Sequence, residues 1–116
     1  MSTVSVGKYG EDAAAEYLAV KGCKILRRNY KAANGEIDII AKSGKKLMFV
    51  EVKTRKNTNF GYACDAVNCR KQHKIINTAR AFVISYTDYD EISFDVCEVY
   101  TEEHRINYIE NAFVWE

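Results

Sequence analysis

At 116 residues, 47% hydrophobic and 28% charged, the chain has the size and apolar content of one compact domain, which excludes a two-domain arrangement and an intrinsically disordered chain. A formal net charge of +1, from 17 Lys plus Arg against 16 Asp plus Glu, excludes a uniformly basic DNA-coating protein. No apolar run approaches the ~18 residues of a spanning helix and no signal-peptide pattern opens the chain, so a soluble cytoplasmic protein with no membrane partner is expected.

Residues 8–21 (KYGEDAAAEYLAVK) place Glu11, Ala14, Ala15 and Leu18 at i, i+3, i+4 and i+7, which predicts a helix with an acid on its inner face and Gly22 as its C-cap. Residues 23–30 (CKILRRNY) form a short strand candidate, and AANGE at 32–36 supplies an Asn-Gly turn. The apolar, β-branched runs 36–42 (EIDIIAK) and 46–53 (KLMFVEVK), separated by Ser-Gly-Lys, predict a β-hairpin. A polar loop follows over 54–63. Residues 64–86 then carry Ile75, Ile76, Ala79, Phe82 and Val83 at helical spacing. ISFDVCEVY at 92–100 alternates as a strand, and the tail NYIENAFVW fits either a last strand or a turn of helix. The order α, β, β, β, α, β predicts an α/β domain whose central mixed β-sheet is flanked by helices on both faces.

Asp38, Glu51 and Lys53 are charges that do not belong on buried central strands. Glu51 and Lys53, two residues apart, share a face opposite Met48, Val50 and Val52. An even-length turn between the hairpin strands would set Asp38 beside them; a three-residue loop would not. Adjacent carboxylates repel, and burying them costs several kcal/mol unless a cation compensates. Lys53 offsets one charge. A divalent cation such as Mg²⁺ would offset the rest, with Glu11 as a candidate third carboxylate, and that combination suits phosphodiester hydrolysis. The alternative is that Asp38 and Glu51 flank strand ends and that Lys53 makes an ordinary solvated pair with Glu51.

Asp38, twelve intervening residues and then Glu51-Val52-Lys53 resemble the D…(D/E)xK motif of the restriction-endonuclease-like PD-(D/E)XK nucleases. The series GKYGEDAAAEYL, NGEIDIIA, FVEVKTR, FGYACDAVNCRKQHKI and FDV resembles, over nearly the whole chain, the YraN-like family of small bacterial endonuclease-type proteins related to archaeal Holliday junction resolvases. Ser93, before FDV, stands where the family pattern carries a basic residue. The resemblance implies a restriction-endonuclease-like fold, with Asp38, Glu51 and the Val52 carbonyl as ligands of Mg²⁺ or Mn²⁺, Lys53 as the catalytic lysine and Glu11 as a helix-borne acid.

Arg27, Arg28 and Lys31 before the hairpin, Arg55 and Lys56 after it, and Arg70, Lys71 and Lys74 on the long helix form a candidate phosphate-binding set. Tyr30, Phe60 and Tyr62 lie among them and would stack on unpaired bases. Lys71, one turn before Ile75, falls nearest the inner edge of its helix. Cys64, Cys69 and His73, with Cys97 or His104, are a poor match to zinc spacing, and the cysteines read better as buried or half-buried free thiols. The near-zero net charge conceals a polarised chain. Residues 21–80 hold 15 Lys plus Arg against 4 acids, and residues 81–116 hold 1 against 9. The expected function is a metal-dependent deoxyribonuclease acting on branched or other non-duplex DNA, as a homodimer by analogy with resolvases. The alternatives are a nucleic-acid-binding module of the same fold with little or no catalytic activity, and a purely structural domain.

Overall fold

The fold is organised by the near-continuous apolar runs of the central hairpin, which are buried on both faces and so demand a helix on each side. The computed structural model describes residues 3–57 and 68–114. Its elements are α1 (Thr3–Val20), β1 (Lys24–Ala32), β2 (Gly35–Ser43), β3 (Lys46–Arg55), α2 (Cys69–Val83), β4 (Glu91–Tyr100) and β5 (Arg105–Phe113). The strands form one mixed sheet in the order β1-β2-β3-β4-β5, antiparallel except for the parallel β3–β4 pair, whose crossover contains α2.

Successive residues of β3 go to opposite faces. Met48, Val50 and Val52 pack with Ala14 and Leu18 of α1, while Leu47 and Phe49 pack with Ile75, Ile76, Ala79 and Phe82 of α2. The α2 side is knit by aromatic contacts, with Phe49 stacked on Phe94 at 5.4 Å and edge-on to Phe82 at 6.1 Å. Each such buried side chain contributes roughly 1.5–3 kcal/mol of transfer free energy. Helices therefore cover both faces of an α/β sheet, as expected from the sequence.

Several boundaries differ from the sequence reading. α1 begins at Thr3 rather than residue 8, because its first turns carry no apolar stripe to betray them. Its end is as expected: Gly22 sits at φ +91, its N–H donates to the Ala19 carbonyl at 3.0 Å, and the Cys23 N–H donates to Leu18 at 2.9 Å. That is a Schellman closure, and Leu18 and Cys23 supply its hydrophobic contact. The β1–β2 turn is centred on Ala33 and Asn34, both at positive φ, and Gly35 already belongs to β2. Gly35 is needed for space instead, since a Cβ there would lie 2.4 Å from Thr78 Oγ1 and 3.0 Å from the Lys74 carbonyl oxygen of α2. The central hairpin closes through two residues, Gly44 and Lys45, with Ser43 opposite Lys46, so Ser43 is strand rather than turn.

Thr54 and Arg55, expected in the polar loop, extend β3, because β4 offers them ladder partners as far as Tyr100. The long helix is shorter than 64–86. It starts after Asn68, whose side chain accepts the Lys71 N–H at 3.0 Å, and ends at Val83, where the apolar stripe runs out and Ile84 turns to solvent. The tail is the strand β5. Its ladder with β4 shifts register opposite Asp95, whose buried carboxylate accepts the Asn111 N–H at 3.0 Å and the hydroxyls of Ser93 and Tyr108. Ser93 is thus a buried partner of Asp95. No helix among the described residues is long and apolar enough to cross a membrane.

Candidate active site

The β2–β3 ladder stops at Ile39 opposite Val50, although β2 continues beside β1 to Gly35 and β3 continues beside β4 to Arg55. The sheet therefore forks. The first residues past the last ladder pair are Asp38 and Glu51, facing each other across the opening, as the even-length turn requires. Asp38 Oδ2 replaces the missing strand by accepting the Val52 N–H at 2.8 Å. A residue's N–H and C=O leave an extended strand on the same edge, so the Val52 carbonyl is directed into the same fork. Lys53, two residues beyond Glu51, shares its face, and its Nζ is 3.6 Å from Glu51 Oε1.

The same oxygen accepts Lys71 Nζ of α2 at 2.9 Å. Glu51 is only 7% exposed, so the two ammonium groups compensate a carboxylate that is nearly out of water. Asp38 has no such partner among the described residues. Burial, then the Glu51 charge beside it, push its pKa up to about 7 against the pull of the Val52 N–H, and Glu11 and Glu36 add to the rise. The two lysines are driven apart. Burial and then the hydrogen bond to Lys71 lower Lys53, whereas for Lys71 burial is outweighed by its hydrogen bonds to Lys53 and Glu51 and the net shift is upward. The pair thus holds one firmly charged lysine and one that gives up its proton more easily.

An open cleft of about 700 Å³ lies over the fork, lined among others by Lys31, Asn34, Asp38, Glu51, Lys71 and Lys74. Thr78 ties its wall together, its hydroxyl hydrogen-bonded to the carbonyls of Ala32 at 2.9 Å and Lys74 at 2.8 Å. Glu36 also lines this cleft. It was missed in the sequence, though its position two residues before Asp38 is the signal that would have found it. Glu11 borders a neighbouring depression with Gly7, Lys8, Arg28 and Asn29 rather than the cleft itself. Among the described residues no group of three or more His, Cys, Asp or Glu side chains converges on one point.

The expected phosphate-binding residues are divided. Lys31 and Lys74 flank the cleft, and Arg55, Lys56 and Arg70 are exposed at the ends of β3 and α2. Arg28 instead pairs with Asp12 of α1 at 2.7 Å, and Arg27 lies over the Phe82 ring at 5.9 Å. Alternation along β1 sends neighbours to opposite faces. Tyr30 packs edge-on to Phe82 at 5.3 Å and belongs to the core rim, so the expected stacking on bases is corrected there; Phe60 and Tyr62 lie outside the described residues. Cys97 is buried on the α1 face, its thiol pushed up to about 12 by burial and then by Glu98, while Cys69 and His73 border a separate depression between α2 and β5. These residues do not come together, and Cys64 is outside the described residues.

A family model described as "Uncharacterised protein family UPF0102" matches residues 10–99. The chain is 48% identical over 114 residues to a UPF0102 protein of Clostridioides difficile strain 630, covering 97% of this chain and 100% of the relative. It is 43% identical over 116 residues to one from Caldanaerobacter subterraneus subsp. tengcongensis, covering 94% of each. A UPF0102 protein of Dictyoglomus turgidum is 41% identical over 118 residues, covering 97% of this chain and 100% of the relative.

Proposed function

The chain belongs to the UPF0102 family, the YraN-like family that its motifs resemble, and we propose that it is a divalent-metal-dependent deoxyribonuclease of restriction-endonuclease-like fold acting on branched or other non-duplex DNA. The observation that carries this reading is the fork, where Asp38 and Glu51 face each other beside Lys53 and Lys71 at the floor of a cleft walled by Lys31 and Lys74. The donor set fits Mg²⁺ or Mn²⁺. Asp38, Glu51 and the Val52 carbonyl are hard oxygens, and the resisted charge on Asp38 is what a divalent cation would relieve. Such a cation supplies Lewis-acid polarisation of a phosphoryl oxygen and a more acidic water.

This chain's own groups do the rest. Lys53, whose charge burial disfavours, orients the attacking water and takes up its proton. Lys31 and Lys74 hold the phosphates flanking the bond to be cut, and exposed Arg55, Lys56 and Arg70 extend the binding track. A two-fold branched substrate calls for two copies of the chain, so a homodimer is the proposed assembly.

A second reading, a nucleic-acid-binding module with little or no hydrolysis, is favoured by one observation: Glu11 stays out of the cleft, and although Glu36 lines it, no third acid converges with Asp38 and Glu51 on one point among the described residues. Incubating the protein with linear, flapped and four-way DNA in Mg²⁺, Mn²⁺ or EDTA separates the two. The nuclease reading expects metal-dependent cutting, strongest on the branched forms. Retardation of DNA at low salt without cutting in either metal would leave the binding module standing.

A further inference from the structure

Both cations of the fork sit on one acid. Lys71 Nζ is 2.9 Å and Lys53 Nζ 3.6 Å from the same Glu51 oxygen, whereas no described Lys or Arg lies within 4 Å of Asp38. The two lysines are not equally tethered. Lys53 is on the same strand as Glu51, two residues away, and its side chain is 20% exposed. Lys71 reaches across from the first turn of α2 and is 37% exposed at the cleft. Its backbone is fixed by the Asn68 cap, which leaves the four-carbon stem free to swing without disturbing the helix.

We infer that Lys71 is an internal counter-cation, holding Glu51 in place while the fork is empty of metal and yielding that position to a divalent cation, then turning into the cleft beside Lys74. The inference rests on the metal-site reading above. A cation shared by Asp38 and Glu51 would bring like charge against an ammonium already on Glu51, and of the two lysines only Lys71 has an open path away. The exchange makes metal affinity a difference between two cations competing for one oxygen, so removing Lys71 tightens it.

Two measurements test this. Amine acylation of the wild-type protein, read by mass spectrometry in EDTA and in Mg²⁺, is expected to run severalfold faster at Lys71 with Mg²⁺ while Lys74 stays constant. Unchanged or slower labelling of Lys71 overturns the exchange. Mn²⁺ calorimetry is then expected to give Lys71→Met a dissociation constant roughly 5-fold or more below wild type, with Lys71→Arg close to wild type. Equal or weaker binding by Lys71→Met overturns the inference with the metal site intact. Wild-type protein that takes up no Mn²⁺ at all overturns the metal reading itself, a distinguishable failure.

Discussion

Asp38 and Glu51 face each other across one opening, yet their surroundings give them opposite effects on stability. Glu51 is compensated by two ammonium groups, so Glu51→Gln leaves both lysines half-buried without a carboxylate and should cost ~1–2 kcal/mol after allowing for their solvent contact. Asp38 is a burden when ionised. Its folded pKa of about 7 lies above the ordinary 3.8, so between those values the folded state keeps a proton the unfolded state has lost. Stability of the metal-free protein should therefore fall as pH rises from about 4 to about 7 and level off above, and Asp38→Asn, which keeps an acceptor for the Val52 N–H, should remove that component. Denaturant unfolding in EDTA at pH 5 and pH 8 checks both: at pH 8 Asp38→Asn should be more stable than wild type and Glu51→Gln less. Equal pH profiles for wild type and Asp38→Asn would contradict the account. The pairing of the two acids was legible in the sequence because a two-residue period and an even turn dictate it. The Lys71 contact was only hinted at, since it joins residues twenty apart through the docking angle of α2, which no local pattern encodes.

Two glycines show how closely the elements must approach for the site to form. A Cβ on Gly10 of α1 would lie 1.8 Å from Thr54 Oγ1 and 3.0 Å from Thr54 Cβ, so Gly10→Ala should push α1 off β3 and cost ~1–3 kcal/mol as overpacking. Thr54→Ala in the same chain should recover part of that loss. Gly35→Ala meets the Lys74 backbone carbonyl oxygen at 3.0 Å as well as the Thr78 hydroxyl at 2.4 Å, so a side-chain change at Thr78 relieves only part of the clash. It should lift the β1–β2 turn off α2 and weaken DNA retention as well as lower the unfolding midpoint. Unaltered midpoints in both variants would contradict the packing described. The strand pattern and the Gly22 cap were readable because each depends on neighbours in sequence. The β1–β2 turn was misplaced by one residue, because Ala33 adopts a positive φ that favours Gly or Asn. Thr78 holds the residues on either side of this turn, its hydroxyl on the Ala32 carbonyl and its side chain close against Gly35.

Across the whole molecule, the positive segment 21–80 contains β1, β2, β3 and most of α2, the elements that enclose the fork, while the acidic segment 81–116 contains β4 and β5. Three of the eight expected basic residues nevertheless serve the fold: Arg27 and Arg28 are spent on Phe82 and Asp12, and Lys71 on Glu51. Composition reports the polarity, but only the sheet's alternation decides which charges face the cleft. Lys31→Met and Lys74→Met should each reduce the slope of log affinity for DNA against log salt by roughly 0.7–0.9, one phosphate apiece, whereas Arg28→Met should leave it unchanged. The proposed nuclease cuts phosphodiester bonds at the Asp38–Glu51 fork with a divalent cation. The most direct measurement is single-turnover cleavage of a labelled four-way junction in Mn²⁺ by wild type and Asp38→Asn, with DNA retention followed in parallel. Metal-dependent cutting by wild type, lost by roughly 100-fold or more in Asp38→Asn with retention nearly intact, is the expected result. Cutting by Asp38→Asn at the wild-type rate, or no cutting by wild type in Mn²⁺, would contradict it.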